Sequence, residues 1–248
     1  MTITPPPATT EAANPAGPAA LPIPRQSTGA DVGRSRAFTN WVVQLCKEDP
    51  GARSALRSGL RKDLDSVRRM HRLVAPWLPD SRSEDVERAY YAVAAMIAAQ
   101  PRSTLNSPDK APDVQQQQDA EQTPGGRTRR GTSLGAALAI AVTEGPGREK
   151  EMRVGTAESR LNLLTRQSVN GLHRHLPATV GYLCSVGVDI DWAQLIHDLS
   201  NWRRHSGRIS RTWLQDFYRQ RNRDLTRQAD QADELELTTD APQPPTGS

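Results

Sequence analysis

The sequence predicts an all-α chain: two small helical bundles joined by a flexible Gln-rich segment, with disordered tails at both ends. Three observations predict it. Apolar residues recur at spacings of three and four, while the alternation of a half-buried strand is nearly absent. Helix start and stop residues flank those runs. The stretches between and beyond them are rich in Pro, Gly, Gln and acids, and lack periodicity. The expected division is a Pro-rich tail over 1–34, a bundle over 35–101, a linker or mobile loop over 102–131, a bundle over 132–227 and an acidic tail over 228–248.

A chain of 248 residues is long enough for one or two domains with a real core. Residues 1–30 hold seven prolines, one basic residue (Arg25) and one acid (Glu11). They bring too little apolar surface to offset the entropy of ordering. No basic segment followed by an apolar run marks a secretory signal, and no run approaches the roughly 20 apolar residues that span a bilayer. No membrane partner is expected, and the expected location is the cytoplasm. Cys46 and Cys184 sit in apolar helical patterns, which predicts small buried hydrophobes in a reducing compartment.

The first helix follows from Phe38, Trp41, Val42, Leu45 and Cys46, the stripe of an amphipathic helix. In "EDPGARSALRSGL", Asp49 is placed to cap, Pro50 fits the first helical position and Gly59 ends the helix. Arg53, Arg57 and Arg61 are spaced by four and share a side if the helix runs on through Gly59. A third helix is expected over about 64–75, with Leu64, Val67, His71 and Val74 inward, ending before Pro76. "SRSEDVERAYYAVAAMIAAQP" opens with Ser81 and Glu84 as a capping box, and buries Val86, Ala89, Tyr90, Val93 and Ile97. Pro101 ends it. The polar run that follows carries no periodicity.

"TSLGAALAIAV" reads as an apolar helix capped by Ser133 or Thr132, with Gly135 allowing close helix contact. In "AESRLNLLTRQSVNGLHRHL", Val169, Leu172, Leu176, Val180 and Leu183 form one core face. At about 100° per residue Arg174 points well away from it, with Arg166 at the flank. Pro177 is expected to kink this helix or start a new turn. "GVDIDWAQLIHDLSNW" offers Asp191 and Gln194 as a variant capping box, with Trp192, Leu195, Ile196, Leu199 and Trp202 inward. The last helix is expected to be capped by Ser210 and to bury Trp213, Leu214, Phe217 and Tyr218.

Charge is uneven. Residues 34–105 hold 13 Lys or Arg against 8 Asp or Glu, and residues 148–227 hold 14 against 8. The body is basic, whereas residues 228–248 carry five acids and no cation. Nearly all the cations are Arg, whose planar fork suits phosphate. Basic bodies often meet nucleic acid.

No catalytic constellation is present, so no enzyme is predicted. His173 and His175 point about 160° apart on a helix, wrong for one metal. Asp189 and Asp191 are better explained as caps, and "TPGGRTRRG" lacks the Lys and the strand context of a phosphate loop. No metal site and no cofactor is expected, so function must lie in surfaces. The candidates are Arg160, Arg166 and Arg174, which lack acidic partners at helical spacing, although Glu158 lies two residues from Arg160. Arg68, Arg69 and Arg72 rank lower, because Asp63, Asp65 and Asp80 are in their neighbourhood.

The segments "DPGARSALRSGL", "HRLVAPWLP", "TSLGAALAIAV", "AESRLNLLTRQSVNGLHRHLPATV" and "VDIDWAQLIHDLSNW" occur in that order. Their order and spacing resemble the small subunit, the CasB family, of the type I-E CRISPR surveillance complex called Cascade. The resemblance covers about residues 36–227. It implies a non-enzymatic all-α protein, two copies of which line a ribonucleoprotein filament between the backbone subunits and the large subunit. The implied partners are crRNA, the target DNA strand, the displaced strand, those subunits and a second copy of the chain. The implied contacts are to sugar-phosphate, which helps hold an R-loop whose strand exchange is nearly balanced. Carried onto this sequence, the contacts fall on Arg160, Arg166 and Arg174, then Arg57, with Arg53 and Arg61 beside it. Arg203 and Arg204 follow "LSNW", where helix C-capping is the competing role. Leu134, Trp192 and Trp202 match the family pattern as core residues.

Two other readings compete. "NWRRHSGRISRTWLQDFYRQRNR" mimics a helix-turn-helix DNA-binding regulator, but Trp213 and Leu214 occupy the helix start where base readers belong. The other is a helical protein-binding adaptor with a solvated basic face.

Overall fold

A computed structural model describes residues 30–80, 82–105, 131–142 and 152–239, and the regular elements within them are helical. The expected disorder of 1–29, 106–130 and 240–248 lies outside the described residues. α1 (Ala30–Glu48) is followed by α2 (Pro50–Arg57), by two 3₁₀ turns at Leu64–Ser66 and Arg68–Met70, and by the short α3 (His71–Val74). A further 3₁₀ turn at Ala75–Trp77 leads to α4 (Glu84–Ala99) and the short α5 (Arg102–Leu105). α6 (Leu134–Ile140), α7 (Val154–Thr165), α8 (Val169–Ser185) and α9 (Trp192–Thr239) complete the order.

α1 buries Phe38, Val42 and Cys46, with Trp41 and Leu45 packed at the margin. Phe38 lies 4.8 Å, centroid to centroid, from Tyr90 on α4, and Trp41 stacks near Trp77. Asp49 caps α2, its Oδ1 accepting from the backbone N–H of Gly51 and Ala52 at 2.7 and 2.9 Å. α2 ends at Arg57, with Ser58 as its C-cap just before Gly59, and Gly59 has a second use. A Cβ there would lie 2.1 Å from the Met70 sulfur, so the glycine makes room for Met70. Among the described residues Arg61 is the non-glycine residue with positive φ, at 62°.

The expected helix over 64–75 is broken into turns, because Val67 (φ −105°, ψ 34°) leaves the helical region. Val67, Met70 and Val74 are buried, whereas His71 is exposed and meets the Tyr91 hydroxyl through Nδ1 at 2.6 Å. α4 starts at Glu84 with Ser83, not Ser81, as its cap; Ser83 Oγ accepts from Val86 N–H at 3.4 Å. Ser81 lies outside the described residues. Beyond Val86 this helix buries far more than one face: Ala89, Tyr90, Tyr91 and the run from Val93 to Ala98 are all buried. Its alanines let α1, α2, α8 and α9 pack around it.

The stretch "AESRLNLLTRQSVNGLHRHL", read as one helix, is two. α7 ends at Thr165, and Ser168 caps α8 by accepting from Gly171 N–H at 3.3 Å. α8 buries Leu172, Leu176, Val180 and Leu183 as expected, and it runs through Pro177 to Ser185. Pro177 has no N–H to return to the carbonyl of His173.

α9 is bent at His205 (φ −134°, ψ 25°). Trp213 Nε1 donates to Asp198 Oδ2 at 2.7 Å, and the Trp202 and Trp213 rings lie 5.1 Å apart. Fifteen residues of straight helix would hold residues 198 and 213 roughly 22 Å apart, at 1.5 Å per residue. The two limbs therefore fold back against each other. Asp191 caps the first limb, accepting from Gln194 N–H at 2.9 Å. The Gln194 side chain turns to Asp198 Oδ1 at 2.8 Å and so does not close a reciprocal box. Ser210 is not a cap: it lies within the second limb and donates to the Thr165 carbonyl at 3.1 Å. Trp213 and Phe217 are buried, but Tyr218 is 53 % exposed. The helix runs to Thr239, past the boundary at 227, because residues 228–239 contain neither Gly nor Pro.

One hydrophobic cluster includes residues from α1, α2, α4 and α6 through α9. The units read at 35–101 and 132–227 meet across it, with α9 lying against α1 and α4. Cys46 and Cys184 are buried and not joined in a disulfide. Burial pushes the Cys46 thiol up to about 11, which leaves it unreactive at neutral pH. α6 packs closest of all. Ser133 caps it at 3.3 Å, and a Cβ on Gly135 would lie 1.8 Å from the Trp213 carbonyl oxygen. Gly135→Ala gains about 1 kcal/mol of helix propensity. Against that, it forces α6 and α9 apart, and overpacking of this kind costs about 1–3 kcal/mol or more. The expected net result is a lower urea midpoint for the variant, and an unchanged or higher midpoint contradicts the contact.

His173 on α8 is half-buried. Burial pushes its imidazole down to about 4, the Arg88 guanidinium acts in the same direction, and Asp85 opposes them. The unfolded chain, titrating near 6.5, therefore binds more protons than the folded chain between pH 6.5 and about 4. In that window stability rises with pH; it is full above 6.5 and is lost on acidification. His173→Gln is expected to flatten this part of the stability–pH curve measured by urea unfolding. An identical curve for the variant would contradict the assignment.

Candidate nucleic-acid interface

The eight arginines expected to meet phosphate fall into two groups. Arg53 on α2 is half-buried, with Nε donating to the Ala98 carbonyl at 3.1 Å and Nη2 to the Gln100 carbonyl at 2.5 Å. It closes the C-terminal end of α4, a structural task. Arg203 binds Asp85 through Nε at 3.0 and 2.8 Å, tying α9 to α4. The hydrogen bond and charge of Asp85 hold the Arg203 guanidinium protonated even more firmly than usual. Arg160 packs its guanidinium 4.9 Å from the centre of the Tyr182 ring, across α7 and α8. Its Nε is buried without a hydrogen-bond partner. A cation over an aromatic face offsets such a loss by about 0.5–2 kcal/mol.

The second group is exposed. Arg57, Arg61, Arg166, Arg174 and Arg204 make no ion pair or hydrogen bond through their side chains among the described residues. Arg57 ends α2, and the left-handed Arg61 leaves its face, so Arg53, Arg57 and Arg61 do not form one row. Arg166 is the C-cap of α7 (φ −97°, ψ 1°) and Arg174 lies on α8, so these two and Arg160 are not one stripe either. The α7–α8 turn that carries Arg166 is pinned from α9. Trp202 Nε1 donates to the Gln167 carbonyl at 3.0 Å, and Ser210 Oγ holds the Thr165 carbonyl.

Arg68, Arg69 and Arg72 line two adjoining depressions beside α2, of about 310 and 470 Å³. Their acidic neighbours in sequence do not engage them. Asp63 pairs instead with Arg88 at 3.3 Å, and Arg88 also donates to Asn170 Oδ1 on α8. Sequence spacing alone could not reveal that Asp63 is occupied from a residue 25 positions away.

Among the described residues no group of three or more His, Cys, Asp or Glu is placed to hold a metal. Nor is any described helix long and apolar enough to cross a membrane. The arrangement offers charge and hydrogen-bond donors on a rigid helical frame.

The family model for CRISPR-associated protein Cse2 matches residues 52–218, a span that contains all eight arginines. No curated protein matches the chain significantly. A chain of a solved CRISPR RNA-guided surveillance complex is 38% identical, with a TM-score of 0.64; the likeness covers 80% of this chain and 99% of that one. A chain of such a complex in a pre-nicking state is also 38% identical, with a TM-score of 0.63, covering 80% and 98%. CasB from M. ruber is 20% identical with a TM-score of 0.54, covering 78% and 97%, which speaks to the fold alone. The helical frame, the ordered motifs along it and the match over 52–218 place the chain in the CRISPR-associated Cse2 family.

Proposed function

We propose that the chain is the non-catalytic small subunit of a type I-E CRISPR Cascade ribonucleoprotein, acting in antiviral defence. In this reading its exposed arginines hold the sugar-phosphate backbone of crRNA, target DNA and displaced strand, and so stabilise the R-loop. Its partners are the backbone and large subunits and a second copy of itself, in the cytoplasm. The observation that carries the reading is the set of exposed arginines with no acidic partner: Arg57, Arg166, Arg174 and Arg204. Such residues do not contribute to the fold, and guanidinium forks match phosphate. Base stacking is a poorer fit. Among the exposed large apolar side chains of the described residues, Tyr218 alone is aromatic. Because the DNA duplex and the heteroduplex that replaces it are of similar stability, a few backbone contacts are enough to tip strand exchange.

A helix-turn-helix regulator fits less well. The bend at His205 imitates the motif, but Ile209, Ser210 and Trp213 at the start of the second limb are buried. No base-reading edge is presented there.

The reading is tested in the complex assembled with its partner subunits and a crRNA. Replacing Arg57, Arg166, Arg174 and Arg204 by Ala is expected to leave the melting temperature of the lone subunit unchanged. R-loop formation is expected to weaken, roughly tenfold or more, with a shallower dependence on salt. Wild-type R-loop formation by the variant complex would sink the reading. Sequence-specific duplex binding by the lone chain would favour the regulator, and no nucleic-acid affinity in any form the adaptor.

A further inference from the structure

The two depressions beside α2 make a basic track of adjoining hollows. The larger is lined by Gly51, Ser54, Ala55, Arg68, Arg69 and Arg72, and the smaller by Ser58, Lys62, Asp65, Ser66, Arg68 and Arg69. They share Arg68 and Arg69, so they adjoin beside α2. Four cations face one carboxylate. We propose that this track seats consecutive phosphates of a single nucleic-acid strand, a contact site separate from the arginines of α7 and α8. The proposal rests on the backbone-binding reading above and gives it a further location.

Three features favour this occupant. The cations are available: Arg68, Arg69 and Arg72 are exposed and engage no carboxylate among the described residues, since Asp63 is held by Arg88. The donors suit phosphate oxygens. Three guanidinium forks stand beside the Ser54 and Ser66 hydroxyls, while Ser58 already donates to the Ala55 carbonyl at 2.7 Å. The shape suits one strand. Each depression is at the small end of ligand pockets, about 300–1,000 Å³, which admits sugar-phosphate but not a duplex. No aromatic side chain lines either depression, so the bases have nothing to stack on and stay outside.

The local fold makes the track. Arg69 in the 3₁₀ turn Arg68–Met70 and Arg72 in α3, which follows it directly, are three positions apart, a spacing that puts both on one side of the segment. Met70, buried beneath Gly59, anchors this segment against α2. The exposed Arg57 and Arg61 neighbour Ser58 and Lys62 in sequence and add charge near the rim.

The test uses the full chain and a fluorescent oligothymidylate, with affinity measured across a salt series. The variant Arg68→Ala/Arg69→Ala/Arg72→Ala is expected to bind roughly tenfold more weakly at low salt. Its log–log salt slope should be shallower by about 2, three phosphates at about 0.7 each. The variant with Lys at the same three positions keeps the charge but loses the forks, and should recover only part of the affinity. Wild-type affinity and slope in the Ala variant would overturn the track while leaving the backbone-binding reading intact. So would full recovery by the Lys variant, which would reduce the effect to net charge. A wild-type chain with no salt-dependent binding would overturn the underlying reading and the track together.

Discussion

The hydrogen bond from the Trp213 indole to Asp198 couples the core of this protein to its surface. Asp198 is 1 % exposed, and a carboxylate that deep must be satisfied by donors. Gln194 Nε2 and Trp213 Nε1 supply them at 2.8 and 2.7 Å, with His197 Nδ1 at 3.6 Å. The bond can form only if α9 turns back at His205. Once it has, Trp213 presents its carbonyl to Gly135, Trp202 lies against Trp213, and the same limb pair reaches Gln167 and Thr165. Leaving a buried acceptor unpaired costs about 1–3 kcal/mol. The turn that exposes Arg166 is thus held in place by a polar contact inside the core.

The arginines divide by what they touch. Arg53, Arg88 and Arg203 are spent on the fold, on carbonyls and carboxylates of other elements. Arg160 rests on Tyr182. Arg57, Arg166, Arg174, Arg204 and the Arg68–Arg69–Arg72 cluster remain turned to solvent. A basic chain can therefore hold itself together with some of its cations and offer the others. Membership of the Cse2 family gives that surface a context, because the matched chains of solved surveillance complexes are 38% identical to it over nearly their whole length.

Much of this was legible in the sequence. The periodic leucines and tryptophans mark the helices, Asp49, Ser133 and Asp191 mark caps, and Gly135 marks a close helix contact. Each is a local signal that the fold respects. What escaped depends on partners distant in sequence. Nothing near Arg53 says that it will reach Ala98 and Gln100, and nothing near Asp63 says that Arg88 will claim it. Arg203 likewise meets Asp85 across 118 residues. Spacing rules assign charges to their neighbours in the chain, so they set acids beside Arg68, Arg69 and Arg72 that pair elsewhere or not with them, and left Arg53 and Arg203 without the distant partners they have. The break after Thr165 was masked by leucines that continue at helical spacing on both sides of Ser168.

The central claim is that this chain works within an RNA-guided complex. A tagged copy purified from its native cells, with any bound RNA sequenced, tests that most directly. Short RNAs that share a repeat-derived end and differ in their spacers are expected to co-purify, together with several partner proteins. Recovery of the chain alone, free of RNA, would contradict it.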